Sequence, residues 1–123
     1  MKTKEEIQAN MAQATGTEQY HKFNILFPTI VITDGVRQLC MDAECFWLMD
    51  IIGSHQPKIR DESFQVWTLT VKDRVGKVTA TDGNDKVIVR QNIPYTDFPL
   101  GEVKLYVEDS GPAFQVIMIP SER

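Results

Sequence analysis

The sequence predicts an α+β fold: two helices, at about residues 3–14 and 34–53, pack on one face of a mainly antiparallel β-sheet of about five to seven strands. Two observations carry this prediction. Apolar residues recur at helical spacing in the first half of the chain, and from about residue 63 onward they alternate with polar ones. Helices followed by a run of strands with short turns are typical of an α+β domain that ends in an antiparallel meander.

The first helix begins at a recognisable capping sequence. Thr3-Lys4-Glu5-Glu6 has the form of a capping box, and apolar residues then recur at helical spacing until Gly16 ends the helix. With 123 residues and 42% hydrophobic composition, the chain is long enough for one core. We therefore expect a single domain over residues 1–123, with residues 1–16 as a loosely attached N-terminal helix.

Residues 23–33 are dense in β-branched and aromatic side chains, and Pro28 divides them. This composition predicts two short strands, or one edge strand kinked at Pro28. The later strands follow from the alternating pattern and from turns rich in Asp, Gly and Asn. They are expected at residues 64–72, 77–81, 86–93, 102–108 and 114–119.

The second helix is predicted to begin at Asp34 as its N-cap and to end at Gly53. One apolar stripe runs along it, and its second half adds Phe46, Leu48 and Met49, so that it becomes apolar around most of its circumference. Two explanations remain open. Either the helix is enclosed by the core, or Phe46, Leu48 and Met49 form the interface of a homodimer.

The charge balance argues against nucleic acid as a partner. Thirteen Lys and Arg stand against 17 Asp and Glu, which gives a net charge of −4, so the chain as a whole does not attract polyanions. Nucleic-acid binding would need a local basic patch. The candidates for such a patch are Lys58, Arg60, Lys72, Arg74 and Lys77.

The lack of a recognisable export signal and the expected reduced state of the cysteines favour the cytoplasm. The charged start of the sequence runs into no apolar stretch of signal-peptide length, and no apolar stretch approaches the ~20 residues that a membrane span needs. Cys40 and Cys45 on one helix would point about 140° apart. We expect them to be reduced, buried thiols, and we expect no contact with a membrane.

Few residues in the sequence form patterns typical of catalytic, cofactor-binding or metal-binding sites. The sequence contains neither phosphate-binding glycine motif, and its two His and two Cys lack the spacing of metal ligands. We therefore expect no metal, no cofactor and no assigned catalytic residue. The loop Pro94–Leu100 is unusually apolar, and it is either a lid on the core or a recognition surface. A pocket between helix and sheet would use these side chains: Trp67, His55, Tyr95, Asp97 and Phe98.

Several segments together resemble one protein family. They are Thr33-Asp34-Gly35-Val36, the Trp47–Ile52 stretch, Phe64-Gln65-Val66-Trp67, and Tyr95–Leu100 with its Tyr-Thr-Asp-Phe-Pro-Leu sequence. The resemblance, over about residues 16–122, is to a family of small bacterial, plasmid and phage proteins that carry a domain of unknown function. It implies no activity, cofactor or catalytic residue, and it points to a mobile-element setting.

The sequence therefore favours a small cytoplasmic, non-enzymatic interaction or accessory domain, which binds a second copy of itself or another protein. One alternative is a small-ligand-binding protein or enzyme with a pocket between helix and sheet. The other is a nucleic-acid-binding accessory protein.

Overall fold

The computed structural model describes residues 1–123 as three helices on one seven-stranded sheet. The strands lie in the spatial order β1-β2-β7-β6-β3-β4-β5, and all neighbours are antiparallel except β2 and β7. The predicted α+β class is confirmed. The elements are α1 (Lys4–Ala12), β1 (Tyr20–Lys22), β2 (Ile30–Thr33), α2 (Asp34–Ala43), α3 (Phe46–His55), β3 (Phe64–Lys72), β4 (Val75–Thr81), β5 (Val87–Ile93), β6 (Glu102–Ser110) and β7 (Phe114–Met118).

The meander covers β3, β4 and β5 only. After β5 the chain crosses back over residues 94–101, and β6 pairs with the far side of β3. The β6–β7 hairpin then brings β7 beside β2, with Ile32 opposite Ile117 in a parallel pair. The last strand of the chain therefore lies beside β2, so that residues far apart in sequence meet there.

The predicted helix over residues 34–53 is two helices. Glu44 takes a left-handed conformation, with φ 52° and ψ 48°, and its backbone N–H donates to the Cys40 carbonyl, so α2 ends there. Cys45 then starts α3 in a new direction. The break explains the change of pattern along this segment, because α2 and α3 each bury a stripe of their own, and half-buried side chains flank the stripe of α3.

The two ends of this segment also differ from the prediction. Thr33 is the N-cap of α2, since its hydroxyl oxygen accepts from the Val36 N–H at 3.3 Å. The Asp34 side chain does not cap the helix but accepts from the Glu18 backbone N–H. Gly53 lies inside α3, which continues to His55. A Cβ on Gly53 would lie 2.8 Å from the Phe27 ring, so this glycine allows close packing of a loop on the helix.

The cysteines also lie differently from the expectation for one continuous helix. The Cys45 N–H donates to the Cys40 carbonyl across the break, at 3.0 Å, and both thiols are free and buried. A hydrogen bond with Cys45 and burial raise the pKa of the Cys40 thiol. Both effects keep that thiol protonated and unreactive.

Helix α1 begins with the predicted capping box and contacts α2. Ile7 is fully buried, Asn10 donates to the Asp42 carboxylate at 2.8 Å, and the Lys2 ammonium lies 3.5 Å from the same carboxylate. Burial opposes the charged form of Asp42, but the hydrogen bonds from Asn10 and Gln38 outweigh it and lower its pKa.

The expected strand at residues 23–28 is a loop. Asn24 closes a turn by accepting from the Leu26 N–H at 2.9 Å, and its carbonyl accepts from the Phe27 N–H at 3.0 Å. The β-propensity of this segment yields to side-chain–backbone hydrogen bonding of a kind that favours turns. No helix in the structure has the length and apolar character needed to cross a lipid bilayer.

Candidate functional site

The five residues expected to line one pocket lie in two separate places. His55 and Trp67 are in contact, with ring centroids 6.0 Å apart, and the His55 Nε2 lies 2.7 Å from the Gln91 side-chain oxygen. Trp67 is 2% exposed. Both rings are therefore parts of the packing between α3 and the sheet.

Tyr95, Asp97 and Phe98 lie on the crossover segment. Phe98 and Leu100 are buried in the core, while Tyr95 is 62% exposed and its hydroxyl accepts from Arg74 at 3.1 Å. Asp97 and Phe98 line a shallow cleft that reaches neither His55 nor Trp67. The loop covers one end of the core, and the sequence-predicted pocket residues do not converge on one cavity.

The three residues expected at a dimer interface are mostly enclosed. Leu48 and Met49 are 2% and 0% exposed within the chain's own core, so neither has a surface that a second chain could cover. Phe46 is 39% exposed. Enclosure by the core, the first of the two explanations, therefore accounts for Leu48 and Met49, whereas Phe46 stays partly exposed.

A buried network of amide side chains, which sequence reasoning missed, connects α3 to the sheet. The Gln56 and Gln65 amides exchange two hydrogen bonds, of 2.9 and 2.8 Å, and both residues are nearly inaccessible to solvent. The Trp67 indole N–H donates to the Gln65 oxygen at 2.8 Å, and Gln115 donates to the Gln56 oxygen at 2.9 Å. Every polar atom of the pair therefore has a partner, as buried amides require.

A second polar cluster, also missed, holds the start of α2. The Asp34 carboxylate accepts from the Glu18 backbone N–H and lies 2.7 Å from the His21 Nε2. The Glu122 carboxylate accepts from the Thr33 hydroxyl and from the Gly35 N–H at the same helix end. Negative side chains are favoured at a helix N-terminus, so these contacts fasten β1 and the C-terminal residues to α2.

This cluster predicts a loss of stability in acid. The hydrogen bonds from His21 and from the Glu18 backbone lower the pKa of Asp34 from 3.8 to about 2. Because the folded-state pKa lies below the unfolded one, the contribution is complete above pH 3.8 and is lost as pH falls toward 2. We expect the melting temperatures of wild type and Asp34→Asn to differ near neutrality and to converge only as pH falls to about 2. Thermal scans against pH measure this, with Asp61→Asn as the exposed control; curves of Asp34→Asn that parallel wild type at every pH would contradict it.

A loop at the end of the sheet presents two aliphatic side chains to solvent. Ile25 is 92% exposed and Leu26 is 76% exposed. The loop that carries them is fixed on both sides, since Phe27 packs against Gly53 and the Asn24 amide donates to the Asp50 carboxylate at 2.8 Å. The two side chains therefore project into solvent from a loop whose backbone is fixed by these contacts.

Two adjoining clefts lie beside this loop and share Thr29, Arg60 and Gln115. One, of about 180 Å³, also includes Leu26, and the other, of about 410 Å³, includes Asp109 and the β6–β7 turn. Neither Arg60 nor Asp109 forms an ion pair in the chain. We call this the loop–cleft surface, and its defining residues are Ile25, Leu26, Arg60, Asp109 and Phe114.

Comparison with known proteins agrees with the resemblance drawn from the motifs. No curated protein and no solved structure matches the chain. The model of one family, described as the family of unknown function DUF6876, matches residues 5–123. The match includes all three helices except the first residue of α1, together with every strand of the sheet. The chain therefore belongs to the DUF6876 family of unknown function.

Proposed function

We propose that the protein is an interaction domain that acts through its loop–cleft surface, and that a second copy of the chain binds there. The observation that carries the proposal is the outward projection of Ile25 and Leu26 from a held loop. Burying one such side chain fully contributes about 1.5–3 kcal/mol. Because the loop is already fixed, little further ordering opposes that gain.

The loop–cleft surface has the features of a self-complementary interface. A two-fold dimer uses the same patch on both chains, so the patch must hold both a projection and a recess. Here Leu26 projects at the rim of the clefts that Arg60 and Gln115 line. Phe114, which is 44% exposed, adds an apolar side chain to the lining of the larger cleft.

The charges of this surface are also self-complementary. Arg60 and Asp109 line one cleft without an ion pair. Across a two-fold axis, Arg60 of each copy is available to Asp109 of the other, which gives two equivalent contacts. Charge pairs of this kind set the register and the specificity of an interface.

The proposal includes a cytoplasmic location. Two cysteines that are free and buried support it, because reduced thiols are typical of compartments that do not form disulfides.

Sedimentation velocity tests this proposal. Wild type is expected to sediment at high micromolar concentration with twice the 14.0 kDa mass of one chain, and Leu26→Asp is expected to sediment as a monomer, because the dimer would bury an unpaired carboxylate. Met41→Asp is the matched control, since Met41 is 51% exposed on α2, away from the clefts. A monomeric wild type would overturn the proposal, and so would a Leu26→Asp variant that dimerises as wild type does.

A further inference from the structure

The face of the sheet opposite the helices is uncovered over β3 to β6. Along these strands, the side chains that alternate with the buried ones are half-exposed or exposed. We call this the open face. Its members are Phe64, Val66, Thr68, Thr70, Lys72, Val75, Lys77, Thr79, Thr81, Val87, Arg90, Asn92, Glu102, Lys104, Tyr106, Glu108 and Ser110.

The open face is basic, although the chain is acidic. Lysine and arginine exceed carboxylates on it, and the C-terminal Arg123 adds a further cation beside Phe64. Its cations without an ion pair are Lys72, Lys77, Arg90 and Lys104, and its carboxylates are Glu102 and Glu108, of which Glu108 is neutralised by Arg123. Of the 13 Lys and Arg in this chain of net charge −4, five therefore lie on or beside one surface that carries two carboxylates. Such a segregated patch attracts polyanions in spite of the net charge.

The strand register places polar groups in rows across this face. Lys104, Thr68, Thr79 and Arg90 lie opposite one another on β6, β3, β4 and β5. With neighbouring strands about 4.8 Å apart, the row spans roughly 14 Å. The Thr68 and Thr79 hydroxyls lie between the two cations, so the row offers charge and hydroxyl donors to successive phosphate groups.

An aromatic pair lies at one end of the face. The Phe64 and Tyr106 rings meet edge to face with centroids 5.1 Å apart, and the Arg123 guanidinium lies 4.3 Å from the Phe64 centroid. Tyr106 is two residues from Lys104 along β6, or about 7 Å. Aromatic and guanidinium planes on an open sheet are the groups on which unstacked bases pack.

We propose that the open face binds single-stranded nucleic acid, with phosphates along the Lys104–Arg90 row and bases on Tyr106 and on the Arg123 guanidinium that covers the Phe64 ring. A duplex keeps its bases stacked, so it would use the cations alone. Of the basic residues that the sequence nominated, Lys72 and Lys77 belong to this face. Lys58, Arg60 and Arg74 lie outside it, in the segments before β3 and between β3 and β4.

Fluorescence anisotropy with labelled oligo-dT and oligo-U tests the proposal. Binding is expected at low salt, with log K falling against log salt at a slope of roughly −2 to −3, because four cations each displace counterions from a single strand. Lys104→Glu combined with Arg90→Glu is expected to weaken binding more than about tenfold. The control is Arg37→Glu, an exposed residue on α2, which is expected to bind as wild type does.

Phe64→Leu separates base stacking from charge. Because the Arg123 guanidinium would lose the ring on which it packs, this variant is expected to weaken binding by roughly tenfold without changing the salt slope. Tyr106→Thr is the second variant if Phe64→Leu lowers the melting temperature. Absence of salt-dependent binding to either oligonucleotide would overturn the proposal, as would wild-type affinity of the double charge variant. Equal binding of duplex DNA or heparin, with both aromatic variants unaffected, would also overturn it, since it would show a surface for polyanions in general.

Discussion

Replacing Gln65 with leucine is expected to lower the free energy of unfolding by about 2–4 kcal/mol. Gln65 is fully buried, and its amide holds Gln56 by two hydrogen bonds and accepts from the Trp67 indole. Leucine would leave a buried indole N–H and part of a buried amide without partners. Urea denaturation followed by far-UV circular dichroism measures the loss.

Gln115→Leu is the matched control for this network. Gln115 is half-buried, and when it is removed the Gln56 oxygen still accepts from Gln65. We expect it to cost less than about 1 kcal/mol. If Gln65→Leu is as stable as wild type, or if the two variants cost the same, the network does not hold α3 on the sheet as the hydrogen bonds indicate.

Gly53→Ala is expected to destabilise the protein by about 1–3 kcal/mol, although alanine is the better helix former by about 1 kcal/mol. The added methyl would meet three Phe27 ring carbons at 2.8–2.9 Å. Displacing Phe27 also moves the loop that presents Ile25 and Leu26. Thermal unfolding and sedimentation velocity are therefore both expected to change.

Phe27→Leu in the same chain tests this cause. A smaller side chain makes room for the methyl, so the double variant is expected to recover part of the stability that Gly53→Ala loses. Gly16→Ala is the control, because a Cβ there has no atom within 4 Å. A Gly53→Ala protein that is more stable than wild type would mean that the ring moves aside without cost.

Much of the fold could be predicted because its signals are local. The capping box at Thr3 and Glu6 sets the start of α1, and the alternation of polar and apolar residues sets β3 to β7. The break at Glu44 could not be predicted from its residue type, because glutamate has no preference for the left-handed conformation. The one signal for it was the change from a striped to an all-round apolar pattern after Cys45.

The candidate surfaces depended on contacts between distant residues, which one sequence does not reveal. His21 and Asp34 meet only because β1 pairs with β2, and Gln56 meets Gln115 only because β7 inserts beside β2. Net charge is limited for a related reason, because it does not show where the charges lie. The alternation in β3 to β6 implies two faces, but which face the helices leave open follows from the tertiary structure alone.

If two copies of the chain meet through the loop–cleft surface, two charge-reversal variants of that surface are expected to pair with each other but not with themselves. In the proposed dimer of Arg60→Asp, the new carboxylate of each copy faces Asp109 of the other. In the dimer of Asp109→Arg, the new guanidinium of each copy faces Arg60 of the other. Each variant alone is therefore expected to be monomeric. When the two are mixed, each copy offers the charge that the other lacks. Sedimentation velocity of the equimolar mixture is expected to show a species of twice the 14.0 kDa chain mass; a mixture that remains monomeric beside a dimeric wild type would contradict the claim.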